Sequence, residues 1–146
     1  MAVMVGDRTP AQLFALVFGV VYLAVGIIGF AVTGFDGWAR GEPFDEELVI
    51  FAVNPLHNIV HIGLGAVWLG ASSSHQTAKG VNLLFGIVLL LVFLLGMVGV
   101  LKWLAIEGAE SADNYLHLAT GVLSVYFGTA GAAATRPRPQ RPSRTR

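Results

Sequence analysis

His57-Asn58-Ile59-Val60-His61-Ile62-Gly63-Leu64-Gly65 returns 56 positions later as Asp113-Asn114-Tyr115-Leu116-His117-Leu118-Ala119-Thr120-Gly121. Asn58 falls on Asn114, His61 on His117, Gly65 on Gly121, and His57 on Asp113. His57, His61, Gly65 and Trp68 are spaced i, i+4, i+8 and i+11, which is one stripe of a helix. Asp113, His117, Gly121 and Ser124 make the equivalent stripe. Each stretch stands at the mouth of a long uncharged run, and that combination decides the fold class.

Charge is absent between Arg8 and Asp36, between Glu47 and Lys79, between Lys79 and Lys102, and between Asp113 and Arg136. Each gap exceeds the ~20 residues that cross a bilayer core. The chain of 146 residues is 55% hydrophobic and 12% charged, against roughly 25% charged in a soluble domain. Its mean hydropathy is +0.69. We therefore expect an all-α membrane protein, a four-transmembrane-helix bundle over residues 1–134, with spans at about 11–33, 55–71, 81–101 and 114–134. The first run, from Ala11 to about Val32, is longer than the ~7–15 residue core of a signal peptide and is read as a retained span. With no cysteine, disulfides, thiolate metal sites and cysteine nucleophiles are excluded.

Thr9-Pro10 suits a helix entry, Thr as cap and Pro in the first turn. Asp45, followed by Glu46 and Glu47, suggests another start, with Leu48 to Val53 as a short helix or dipping segment before Asn54-Pro55. Residues 72–80 read as a polar loop in which His75 is solvated. The third span has leucine and valine on every face, and Gly96-x-x-Gly99 echoes Gly26-x-x-Gly29 in the first. Gly65, Gly121, Ser124 and Gly128 are small residues suited to helix packing. Residues 135–146 are rich in Pro and Arg and read as a disordered tail.

Four spans put both termini on one side, with Arg8, Lys79 and the five tail arginines; Arg40 and Lys102 fall on the other. The richer side is cytoplasmic by the positive-inside rule. Trp38, Trp103 and Tyr115 are then expected in the outer aromatic belt, and Trp68 and Tyr126 near the inner one. Spans two and four run in the same direction, so the chain reads as two parallel hairpin repeats about an axis along the membrane normal, with spans two and four facing each other.

The double motif Asn54-Pro55-Leu56-His57-Asn58-Ile59-Val60-His61 and Ala112-Asp113-Asn114-Tyr115-Leu116-His117 resembles the DUF4383 family, small bacterial membrane proteins common in actinobacteria. The resemblance spans about residues 11–132 and implies four transmembrane helices in a bacterial plasma membrane. That family is of unknown function, so no catalytic residue is carried over.

His57, Asn58, His61, Asp113, Asn114 and His117 are expected as one polar cluster at the outer ends of spans two and four, facing the bundle interior. The favoured expectation is a structural or accessory membrane protein, in which these side chains hydrogen-bond across helices. The first alternative is a metal site on His57, His61, His117 and Asp113, the i, i+4 pair chelating one ion. Its relative is haem or quinone electron transfer on His61 and His117. The second alternative is pH sensing or ion and proton handling. No cofactor is required by the sequence. No nucleotide loop, Ser-His-Asp set or intramembrane carboxylate pair points to an enzyme. The expected partners are the bilayer and, for the arginine tail, anionic lipid rather than nucleic acid. A homo-oligomer stays open.

Overall fold

Residues 8–38 and 47–132 are described in a computed structural model of the chain. Arg40, Glu42, the helix start expected at Asp45, and the tail lie outside the described residues.

Four α-helices account for most of the described chain: α1 (Pro10–Thr33), α2 (Pro55–Ala71), α3 (His75–Met97) and α4 (Ala112–Gly128). Thr9 and Gln12 cap α1 reciprocally, with Pro10 in the first turn. Asn54 caps α2 by accepting from the His57 N–H at 2.8 Å, and Pro55 opens it. Helix α3 starts at His75, six residues before the start that the sequence suggests, because Ser74 accepts from the Thr77 N–H and turns the polar loop residues into helix. It stops at Met97, and Gly99, at φ 71°, takes the chain out of it. Helix α4 stops at Gly128, short of the suggested residue 134, and the chain turns so that Ala132 joins the buried cluster with Ala11 and Phe14.

Leu48 to Val53 does not form the expected helix. Glu47–Leu48 (β1) and Phe51–Ala52 (β2) pair antiparallel around a turn in which Val49 takes φ 68°. At the same end of the bundle, Lys102–Leu104 forms a single 3-10 turn, and Leu101, Leu104 and Ile106 fold inward against Leu56 and Val92. Asn54 ties these connections together by donating to the Trp103 carbonyl at 3.0 Å.

Helices α1 and α3, of 24 and 23 residues, are long and apolar enough to cross a membrane. The two hairpins pack most extensively within themselves, α1 on α2 and α3 on α4. The third span is not uniform: Ala78, Asn82, Gly86, Leu89 and Gly96 form a buried face. Shifted by 67 positions, the α1 residues Ala11, Ala15, Gly19, Tyr22 and Gly29 fall on these five, and all five are buried. In the second helices the 56-residue shift carries buried His57, Asn58, His61, Gly65 and Trp68 onto buried Asp113, Asn114, His117, Gly121 and Ser124. The shifts differ because the connection after α1 is longer than the one after α3. The equivalence pairs Gly29 with Gly96, not Gly26 with Gly96 as the sequence echo suggests.

Trp68, near the end of α2, is buried between the helices rather than facing outward as an aromatic-belt residue would. It is 0% exposed, packs against Phe14, Phe18, Tyr22 and Phe85, and donates its indole N–H to Asn82 Oδ1 at 3.0 Å. Asn82 in turn donates to the Ala11 carbonyl, so one buried chain of hydrogen bonds joins α1, α2 and α3. The surface has the opposite character. Val20, Val21, Ile27, Ile28, Leu84, Ile87, Leu91 and Leu94 are exposed, while glycine, alanine, histidine and asparagine are inside.

Candidate functional site

The six polar residues of the paired motif are all buried, but they do not form one cluster. A helix turns by about 100° per residue. His57 and His61 therefore share one direction while Asn58 points to another. The same holds for Asp113 and His117 against Asn114.

The two asparagines point into their own hairpins. Asn58 donates to Thr33 Oγ1 of α1 at 3.0 Å, and Asn114 donates to the Gly108 carbonyl. Each amide lies where the facing helix has no side chain: a Cβ on Gly29 would overlap Asn58 Oδ1, and a Cβ on Gly96 would overlap Asn114 Oδ1. The other small residues act in the same two interfaces. A Cβ on Gly65 would meet the Leu23 backbone of α1, one on Gly121 would meet Leu90 of α3, and one on Gly128 would meet the Leu83 backbone. Ser124 is buried, and its hydroxyl has no partner among the described residues.

The histidines point between the hairpins. One potential ligand atom from each of His57, His61 and His117 lies within 4.8 Å of the other two. The His57 and His61 rings meet edge to face with centroids 4.5 Å apart, and the His57 and His117 centroids are 6.2 Å apart. His57 Nδ1, His61 Nε2 and His117 Nδ1 are buried with no hydrogen-bond partner among the described residues. Buried polar atoms without a partner are rare in native structures and call for an explanation. Asp113 stands outside the converging set. Its Oδ1 is 3.9 Å from His57 Nε2, and Ser111 Oγ approaches its Oδ2 at 3.5 Å. Side chains of α2 and α4 thus meet at His57, His117 and Asp113, but the helices expected to face each other lie further apart than α1 and α3, which bring the two hairpins together.

Two small cavities adjoin these rings. One, of about 90 Å³, is lined by His57, His61 and His117 with Val88, Leu89, Val92 and Ile106. The other, of about 150 Å³, lies between His57, His61 and Asp113 on one side and the hairpin residues Leu48, Val49 and Phe51 on the other. Beyond the hairpin, Glu47, Glu107 and Glu110 line a polar depression next to Ser111 and Ala112.

Three contributors are not singled out by the sequence pattern. Tyr22 packs its ring 4.8 Å from that of His61, and its buried hydroxyl is directed toward Thr120. Asn82, the one amide in the third apolar run, was a visible signal. The hairpin that walls the second cavity was not, because Leu48–Val53 alternates too little to mark two strands. At the far end of the bundle, His75 Nδ1 lies 2.9 Å from Thr9 Oγ1, so it is engaged rather than merely solvated.

No curated protein and no solved structure matches this sequence. The family described as a domain of unknown function, DUF4383, matches residues 12–130, which takes in all four helices except the first two residues of α1. The chain therefore belongs to the DUF4383 family.

Proposed function

We propose that this chain is a multi-pass protein of the bacterial plasma membrane whose four helices all cross the bilayer as two parallel hairpin repeats. Its termini lie in the cytoplasm. His57, His61 and His117 bind one divalent transition-metal ion near the outer face. The inverted distribution of residues supports the membrane reading: large aliphatic side chains cover the outside while small and polar ones pack within. Helices α2 and α4, of 17 residues each, span about 26 Å at 1.5 Å per residue, just short of the ~30 Å core. The inward-folded Leu101, Leu104 and Ile106 help complete the apolar thickness. Orientation follows from seven Lys and Arg on the side of the termini against two on the other.

The observation that carries the metal reading is the set of three buried histidines, each offering one ring nitrogen within 4.8 Å of those of the other two. Neutral imidazoles suit zinc, copper, iron or nickel. Three such ligands leave a coordination position open. Asp113 beside His57 would orient that ring and balance part of the charge, as carboxylates beside ligating histidines do. The carboxylates of Glu47, Glu107 and Glu110 draw cations to this end. The adjoining cavities of about 90 and 150 Å³ fall below the ~300–1,000 Å³ typical of pockets for larger organic ligands. A single ion therefore suits the space better than a porphyrin.

Cobalt(II) titration of the purified, chelator-treated protein in detergent tests this. The expected result is visible absorption that saturates at about one equivalent and is lost in His61→Ala and His117→Ala. A folded wild-type protein that develops no such absorption would overturn the metal reading.

A further inference from the structure

The end of the bundle away from the histidines carries a second concave surface. A groove of about 330 Å³ runs along the first turns of α1 beside Phe127 of α4. Phe14 forms its floor, with its ring stacked 4.2 Å from Phe18 and 5.0 Å from Phe127. Leu13 and Val17, both exposed, form its rim. Every lining side chain is apolar except one, Arg8, at the end of the groove. Arg8 is held in place there by donating from its guanidinium to the Ser72 carbonyl at 2.9 Å.

We propose that this groove seats an acyl chain of one anionic phospholipid, with the lipid phosphate at Arg8. The apolar, aromatic-floored slot suits a hydrocarbon chain, and a guanidinium suits a phosphate. The rest of the charge at this end points the same way. Ala132, the last described residue, lies in the same buried cluster as Ala11 and Phe14. The five arginines of residues 136–146 therefore follow from a point close to the groove. Lys79, in the second turn of α3, adds to them. Asp7 is the one acidic residue that the sequence places beside this end. A zwitterionic lipid would fill the slot equally well but would gain nothing from this concentration of positive charge. The site is independent of the histidines.

Native mass spectrometry of the full chain, in detergent doped with phosphatidylglycerol or phosphatidylcholine, tests the proposal. We expect one phosphatidylglycerol to be retained in preference to phosphatidylcholine. Arg8→Gln should lower that retention about fivefold, the equivalent of ~1 kcal/mol for one cationic side chain at an anionic lipid. Leu13→Trp, at an exposed position, should fill the groove and reduce retention of both lipids while leaving the helices intact by circular dichroism. With the five tail arginines changed to Gln, the effect of Arg8→Gln should persist. Equal retention of the two lipids, an unaffected Leu13→Trp, or a preference that depends on the tail arginines alone would overturn the groove site.

Discussion

His57 and Asp113 occupy equivalent positions in the two halves of the chain, and they face each other, His57 Nε2 lying 3.9 Å from Asp113 Oδ1. In the proposed arrangement of two parallel hairpin repeats, this contact would lie near the pseudo-two-fold axis. The difference in residue type at that place gives a pair of potential hydrogen-bonding partners where two identical residues would give only like with like. His61 and His117, also equivalent, lie one turn further in. The centre of the molecule is thus built from both hairpins, while each asparagine serves one of them.

This division of labour predicts the outcome of adding a methyl group opposite each asparagine. Gly29→Ala and Gly96→Ala should each destabilise the bundle by about 1–3 kcal/mol, the usual result of overpacking a tight site. Gly29→Ala combined with Asn58→Ala should lose less than the sum, because the clash disappears with the amide. Thermal unfolding in detergent measures both. A Gly29→Ala protein as stable as the wild type would contradict the packing of Asn58 against α1.

The bridge from Trp68 to Asn82 joins the hairpins in an otherwise apolar layer. Asn82→Leu should leave the indole N–H and the Ala11 carbonyl without partners, at about 1–3 kcal/mol. Trp68→Phe in the same background should recover part of that loss. If the double variant is no more stable than the sum of the singles implies, the two side chains are not coupled.

Much of the fold was legible because two signals stand clear of each other in the chain. Charge marks the ends of the apolar runs, and the repeated Asn-x-x-His spacing marks α2 and α4. The start of α3 was hidden because Ser74 can cap a helix as readily as it can sit in a loop, and only the Thr77 N–H decides between them. The hairpin at residues 47–52 was hidden because a two-residue strand has no periodicity. The repeat in α1 and α3 was hidden because its shift differs from that of α2 and α4, and because Tyr22 falls on Leu89 and Ala15 on Asn82. Trp68 resembled a belt residue by its place near a helix end. Its burial depends on Phe14 and Phe85, which are remote in sequence.

Orientation is open to a direct check. A reporter active only in the cytoplasm should work when fused after Arg146 and be silent when inserted near Gly41. Changing the five tail arginines to Gln leaves two Lys or Arg on each side, which removes the asymmetry and should produce a mixed population. The reverse pattern in the unmodified chain would invert the proposed topology.

Acid should release the ion. Imidazole binds metal only when a ring nitrogen is unprotonated, so protons and metal compete for the same three side chains. Metal retention is therefore expected to be full at pH 8 and to fall only in acid well below the ordinary histidine value of ~6.5, because the bound ion holds protons off the ring nitrogens. Dialysis of loaded protein across this range, followed by metal analysis, measures it. Retention that does not change between pH 8 and pH 3 in a protein that stays helical would argue against histidine ligation.

Metal content per chain tests the central claim most directly. It should be measured on protein purified without chelator or metal resin, for the wild type, His61→Ala, His117→Ala and Asn58→Ala, each shown to be helical by circular dichroism. The proposed site predicts about one transition-metal ion per wild-type chain, loss of that ion in both histidine variants, and its retention in Asn58→Ala. A helical wild-type protein that carries no metal, and takes none up when incubated with zinc(II), would contradict it.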